Sequence, residues 1–356
     1  MSAAVAVLAL TVLTAAPDAP PPPAEERVEL LPPTPGSPLA AGAAVLPGLL
    51  LHGSGHFVLG EREAARNLLA TQGVGVASFV AGFALLASTG AANQLAPLYV
   101  IPTIGGLGAI SVSWLGDLAG SIHGSEGFPT SGWRPAAGLY LSGGYDGLFA
   151  SKLDFQHGMS LRLDWRGERL RFSPWGSWHP QGSSHAAAGA LLGLQLARPN
   201  PETVTALDLI LGVAHQRFPG DGFHVTTGEL YLEGRVDLGF IARSLRNAWG
   251  LARLGWGIDA YGYDGADALL DDGLPLLVLD IGMGLQLFER AGFEIVYRQR
   301  KNELPGGLMI SSGLAGFIGM VQLEGRITLA EGWALLPSVR LGTGVRTTLA
   351  VEARLW

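Results

Sequence analysis

Apolar and polar positions follow two different grammars along this chain, and the change falls near residue 135. In GELYLEGRVDLGF, Leu230, Leu232, Val236, Leu238 and Phe240 occupy even positions, while Glu229, Glu233, Arg235 and Asp237 occupy odd ones. A period of two predicts a strand with one apolar and one charged face. MSLRLDW repeats the pattern, with Met159, Leu161, Leu163 and Trp165 alternating with Arg162 and Asp164; RLRFSPW after the turn RGE completes a candidate hairpin. TALDLILGVAH, GLARLGWGIDAYGY, LLVLDIGMGLQLF, GFEIVYRQRK, GFIGMVQLEGRITL, LLPSVRLG and VRTTLAVEARLW continue it. In each, one parity is apolar and the other carries Asp208, Arg253, Asp259, Asp280, Glu294, Arg298, Glu324, Arg326, Arg340 or Glu352. ARPNPET, RFPGDGFH, YDGADALLDDG, RKNELPGG and LAEG read as the intervening turns.

Before residue 135 the text consists of long apolar blocks. Between Asn67 and Gly116 no residue is charged, which is room for two spans of about 20 residues around the polar break STGAANQ. The expectation is an apolar helical segment over residues 39–124, containing a helical hairpin whose second helix Pro102, Gly105 and Gly106 interrupt. Ala, Gly and Ser dilute both spans and suit close helix packing. Residues 17–38 are proline-dominated and read as a linker. The apolar run from Ala3 to Ala16, followed by small residues, reads as a signal peptide over residues 1–16.

Strand length decides what the alternating half becomes. The runs extend over roughly 9 to 15 residues, longer than the 5 to 6 or so of globular sheets and matched to a tilted bilayer crossing. Lipid offers no hydrogen bonds, so such a sheet must close on itself. The predicted fold class is mainly β: a closed antiparallel transmembrane β-barrel of about 12 strands, within a range of 10 to 14, over residues 135–356, preceded by the helical segment. Trp165, Trp175, Trp249, Trp256, Tyr261, Tyr263 and Trp333 lie near run ends, where an interfacial girdle would place them.

Composition narrows the function. Charged residues make up 15% of the chain, apolar ones 48%, and there are 52 glycines, a balance that leans towards membrane. A net charge of −7 without a basic cluster argues against a nucleic-acid partner. The absence of cysteine excludes disulfides, thiolate metal sites and a cysteine nucleophile.

On its strand grammar, signal sequence and terminal aromatic, the portion from residue 135 resembles bacterial outer-membrane β-barrels. The resemblance implies location in the bacterial outer membrane, contact with outer-membrane lipid, help from the barrel-assembly machinery during biogenesis, and possible envelope protein partners. The terminal residue departs from the pattern: Leu349, Val351, Ala353 and Leu355 form the apolar face, whereas Trp356 falls with Glu352 and Arg354. Either the last residue is frayed or the register shifts. Residues 52–69 loosely resemble small two-helix membrane modules with a Gly-x-His-x-Phe-Tyr-x-Gly-like turn.

Candidate chemistry is sparse. His52 and His56 at i, i+4 would suit a metal edge, but no third ligand lies at a recognised spacing, and a turn or packing role is preferred. His52 and Ser54 have the His-x-Ser spacing of one class of outer-membrane phospholipase, yet lie outside any strand; Ser183, Ser184 and His185 read as a loop edge. Asp264, Asp267, Asp271 and Asp272 form a solvated acidic loop without a full calcium pattern. No catalytic residue, metal or cofactor is assigned. The remaining polar concentration is the inward face, which takes Arg162, Asp164, Glu229, Glu233, Arg235, Asp237, Arg253, Asp259, Asp280, Glu294, Arg298, Glu324, Arg326 and Arg340. Interleaved signs there suit salt bridging across a narrow lumen. Three functions stay open: a structural or narrow-channel outer-membrane barrel, an outer-membrane lipid hydrolase, and an inner-membrane helical hairpin carrying a periplasmic β-domain.

Overall fold

The computed structural model describes residues 36–356 apart from 91–94, 125–129, 135, 151–155, 182–183, 200–202, 219–221, 241–244, 265–273, 300–307 and 310–316. The expected signal peptide and most of the linker lie outside these residues. Helices come first: α1 (Pro38–Val45), the short α2 (Ser54–Val58), and two long helices, α3 (Arg62–Ser88) and α4 (Ala96–His123).

Twelve strands then close into an antiparallel barrel. They are β1 (Gly138–Phe149), β2 (His157–Arg166), β3 (Leu170–His179), β4 (His185–Ala197), β5 (Ala206–Phe218), β6 (Phe223–Asp237), β7 (Ala248–Tyr263), β8 (Leu274–Phe288), β9 (Ala291–Arg298), β12 (Met320–Ala330), β13 (Trp333–Leu341) and β14 (Val345–Arg354). A two-stranded excursion, β10 (Leu308–Met309) and β11 (Phe317–Ile318), interrupts the meander between β9 and β12. Pairing of β14 with β1 shuts the ring, so no barrel edge is left open. A 12-strand ring with ordinary strand spacing and tilt is about 24 Å across.

Burial is inverted relative to a water-soluble protein. Leu161, Leu230 and Leu349 are each more than half exposed on the outer surface, whereas Asp164, Glu233, Asp280 and Glu294 are buried inside. An arginine placed outward at mid-bilayer would cost about 2–4 kcal/mol and a carboxylate somewhat less, so the alternation fixes which face turns in. Trp165, Trp333 and Phe172 stand outward near the rim that carries the chain's end, and Tyr145, Phe149 and Trp178 outward near the opposite rim. Trp175, Trp249 and Tyr261, expected in that girdle, instead share the inward parity. Trp175 lines the lumen, and Trp249 is fully buried with its indole N–H donated to Glu294 at 2.8 Å. The alternation of GELYLEGRVD stops at Asp237; Leu238–Phe240 turn into a 3₁₀ segment. Strand β14 ends at Arg354, but the Leu355 N–H donates to the Leu139 carbonyl of β1 at 2.7 Å and the Leu139 N–H reaches the Trp356 carbonyl at 3.2 Å, so the terminal register shifts by one residue while both side chains stay exposed.

Helix α4 runs unbroken through Pro102, contrary to the sequence expectation. Pro102 sits two turns from the helix start, and the glycines serve packing: a Cβ on Gly106 would lie 2.4 Å from the Phe79 nitrogen and 2.6 Å from the Gly75 carbonyl oxygen of α3. Both long helices have the length and hydropathy to cross a membrane. The hairpin lies on the outside of the barrel, along β7–β9. Leu68, Val112 and Ala119 pack on Ala248, Met283 and Leu285, and farther along Tyr99 and Val100 pack on Leu279 and Tyr297, all on the lipid-facing parity. The helices therefore share the barrel's apolar band. That excludes a hairpin in one membrane carrying a β-domain in water.

Candidate functional site in the barrel lumen

Inside the ring, a cavity of about 540 Å³ is lined by side chains from around the barrel and by Trp133, Arg134 and Ala137 of the segment that joins α4 to β1. Arg162, Asp164, Glu229, Glu233, Arg235, Arg253, Glu294, Arg298, Glu324, Arg326 and Arg340 line it. Asp237, Asp259 and Asp280 share the inward parity but lie outside the cavity wall itself. Asp280 is covered by Arg253 and Arg298, Asp259 accepts from Thr227, and Asp237 sits at the terminal rim.

The charges form linked pairs. Glu233 accepts from Arg253 at 2.6 Å and from Arg235, which also reaches Glu294 at 3.2 Å. Arg253 and Arg298 converge on Asp280 at 3.1 and 3.3 Å. Elsewhere Asp164 receives Arg171 and Arg166, Glu352 receives Arg326, and Asp146 receives Arg346 and Thr348. Buried carboxylates of this kind persist only when paired, because an unpaired charge in low dielectric costs several kcal/mol.

Signs that interleave along each strand separate once the ring is closed. Strands β5–β9 contribute inward Asp208, Glu229, Glu233, Asp237, Asp259, Asp280 and Glu294 against only Arg235, Arg253 and Arg298. The facing strands β13, β14 and β1–β3 contribute inward Arg340, Arg346, Arg162, Arg166 and Arg171 against Glu352, Asp146 and Asp164. With β1 and β7 six steps apart in the ring, the basic wall stands directly opposite the acidic one. Sequence reading collected the signs without their walls. It left out Arg171, Arg346 and Asp146, although parity on β3, β14 and β1 could have supplied them.

The terminal mouth is crossed by the chain itself. Gly124, with φ +86°, ends α4 in a conformation that favours glycine; of the connector, residues 130–134 and 136–137 are described, ahead of β1 on the far side of the ring. On the way the Thr130 hydroxyl donates to Asp237 at 2.9 Å and accepts from the Val204 N–H. The Trp133 ring packs at 5.1 Å against Trp249, tilted by 43°, and Arg134 pairs with Asp208. Burial lowers the Arg134 pKa, and the Asp208 carboxylate opposes that shift.

The two N-terminal histidines lie elsewhere, in the helical unit. The Asp117 carboxylate of α4, fully buried, accepts the backbone N–H groups of Gly53 at 2.9 Å, Gly55 at 3.2 Å and His56 at 3.1 Å, and contacts His56 Nδ1 at 2.7 Å. His52 Nδ1 meets the Ser113 hydroxyl at 2.5 Å. Among the described residues no group of three or more His, Asp or Glu side chains could hold a metal. Ser54 donates to the Leu51 carbonyl, away from His52. Every serine within the described strands faces inward, so none shares an outward face with a histidine as a lipid hydrolase at the membrane edge would require. His185 opens β4 and stands beside His179 across the strands; Asp264 pairs with Arg217, and Asp267, Asp271, Asp272 and Ser183 lie outside the described residues.

Closure, inverted burial and a charged lumen define a transmembrane β-barrel of the outer-membrane type, with a helical hairpin on its outer wall. No protein-family model and no curated protein matches the chain. Among solved structures it is similar to the KdgM porin (10% identity, 61% of this chain and 99% of that one, TM-score 0.38). It is also similar to the translocator domain of the autotransporter NalP from Neisseria meningitidis (12%, 62% and 90%, 0.38) and to the outer membrane protein Omp33 of Acinetobacter baumannii (7%, 62% and 98%, 0.32).

Proposed function

We propose that this protein resides in the bacterial outer membrane as a narrow, charge-lined channel whose terminal mouth is covered by its own connector. The observation that carries the reading is the lumen: a cavity of about 540 Å³ walled by ion-paired, inward side chains inside a closed ring with an apolar exterior. The tightest turns, β8–β9 and β12–β13, lie at the rim that holds the chain's end and the longest connection, β9 to β12, at the other, which supports a periplasmic orientation for the terminal rim. Outer-membrane lipid then surrounds both the strands and the hairpin, and assembly depends on the barrel-assembly machinery.

Fractionation with gel mobility before and after boiling tests the location; an inner-membrane, non-modifiable band overturns it. Planar-bilayer conductance tests the channel. A structural barrel is the second reading, favoured by the same ion pairs and by Trp133 and Arg134 occupying the mouth. Sustained electrical silence, in the intact protein and with the connector contacts removed, decides for it.

A further inference from the structure

Most inward guanidiniums and carboxylates in the lumen already have a partner. Arg162 does not: its side chain is exposed to the lumen, and among the described residues it makes no hydrogen bond and no ion pair. Its neighbour Asp164 is taken up by Arg166 and Arg171. Beyond that pair, the charges Arg162 senses include Glu324 on β12, four steps away around the ring. Glu324 is likewise without an ion pair among the described residues. It accepts only from Gln322, and its cross-strand neighbour is another carboxylate, Glu294, which is held by Arg235 and Trp249. A guanidinium without a partner and a carboxylate without a cation, among the described residues, thus line one cavity from different strands. Beside Arg162 stand the Trp175 ring and the hydroxyls of Ser142 and Ser160, and the buried Ser177 hydroxyl, one register step from Trp175, has no partner among the described residues.

We propose that this pair is a binding site for a small zwitterion, with the solute's carboxylate on Arg162 and the serine hydroxyls, and its ammonium on Glu324. The inference rests on the channel reading and names its solute class. A net anion meets the basic wall but is repelled by the acidic one, and a net cation meets the reverse. A dipolar solute lying across the lumen is attracted by both walls at once. The cavity volume falls within the ~300–1,000 Å³ typical of small-molecule sites.

The test uses the full-length protein in proteoliposomes, measuring efflux of glycine, methanesulfonate and tetramethylammonium, with KCl conductance recorded on the same preparation. Glycine leaves faster than either ion. R162Q and E324Q each reduce its advantage about tenfold, the usual effect of losing a charge-assisted hydrogen bond, and the reversed pair R162E/E324R restores it. Heat-modifiable mobility shows that each variant is folded. KCl conductance with no glycine preference, or with a preference that R162Q leaves intact, overturns the zwitterion site while the channel stands. If the protein does not conduct, equilibrium dialysis of glycine against the detergent-solubilised full chain decides. Binding that R162Q abolishes keeps the site and removes the channel, and equal binding by wild type and R162Q overturns the site.

Discussion

Replacing Asp117 by alanine removes one acceptor serving four donors. The backbone N–H groups of Gly53, Gly55 and His56, together with the His56 ring, all converge on its carboxylate at 2.7–3.2 Å, and both His56 and Asp117 are buried. Each buried donor left without an acceptor costs about 1–3 kcal/mol, which would total roughly 4–12 kcal/mol if nothing moved. The segment over residues 36–61 can undock instead, so the attainable loss is smaller, about 3–5 kcal/mol, the equivalent of two hydrogen bonds to a charged acceptor. This corresponds to a rise of about 10²- to 5 × 10³-fold in the undocked population. Hydrogen–deuterium exchange of the peptide covering residues 50–59, in detergent, reads the change directly as faster amide exchange of that size. The barrel strands should keep their protection and the protein its heat-modifiable mobility. Asp117→Asn, which keeps one acceptor oxygen, should fall between the two. Unchanged exchange at Gly53, Gly55 and His56 in Asp117→Ala would refute the reasoning.

Other outcomes follow from the same geometry. Trp133→Ala removes the ring packed against Trp249 and should raise single-channel KCl conductance about twofold or more in planar bilayers; an unchanged conductance would mean that the connector does not limit the passage. Gly106→Leu forces a side chain against the α3 backbone, where even a Cβ lies 2.4 Å from the Phe79 nitrogen. It should destabilise the helical hairpin by about 1–3 kcal/mol, read as faster exchange in α3 and α4 but not in β2–β5. Burial holds the His52 pKa below its ordinary value of 6.5, against the opposing pull of Asp117. The undocked side chain then takes up a proton first as the pH falls. Docking of residues 36–61 should weaken below about pH 6.5 and level off once the docked histidine also titrates, and His52→Gln should flatten the profile.

The strands were legible because their signal is local. Whether Glu233 or Leu232 faces lipid is settled within a few residues by parity, and the closed ring of twelve follows from strand length and the impossibility of an open edge in lipid. Their walls were not legible, since the opposition of Arg162 to the β5–β9 carboxylates exists only once β14 meets β1. The partner of His56 was hidden for a similar reason: Asp117 lies 61 positions away, in a helix whose other residues give no hint that one carboxylate is needed. Trp175 and Trp249 were misplaced because nearness to the end of a run was given weight over parity, and parity decided. Pro102 lies in the interior of α4, where it forgoes one backbone hydrogen bond, and the helix runs through it because its packing along α3 holds both sides in place.

The position of the hairpin and the cover of the lumen are one topological fact. Helix α4 rests on the outside of β7 and β8, while the chain must next enter β1, which stands opposite β7 in the ring. A path around the rim would run half the circumference, about 38 Å, against roughly 24 Å straight across the mouth. In the described part of the connector, Thr130 finds Asp237, Arg134 finds Asp208 and Trp133 finds Trp249. All three partners belong to the acidic wall, on strands β5–β7. Anchoring there lets the single guanidinium of Arg134 offset part of that wall's excess of carboxylates at the mouth, while the wall behind Arg162 keeps its own charge facing the lumen. The hairpin therefore does more than add apolar surface: its docking site determines from which side of the barrel the cover enters.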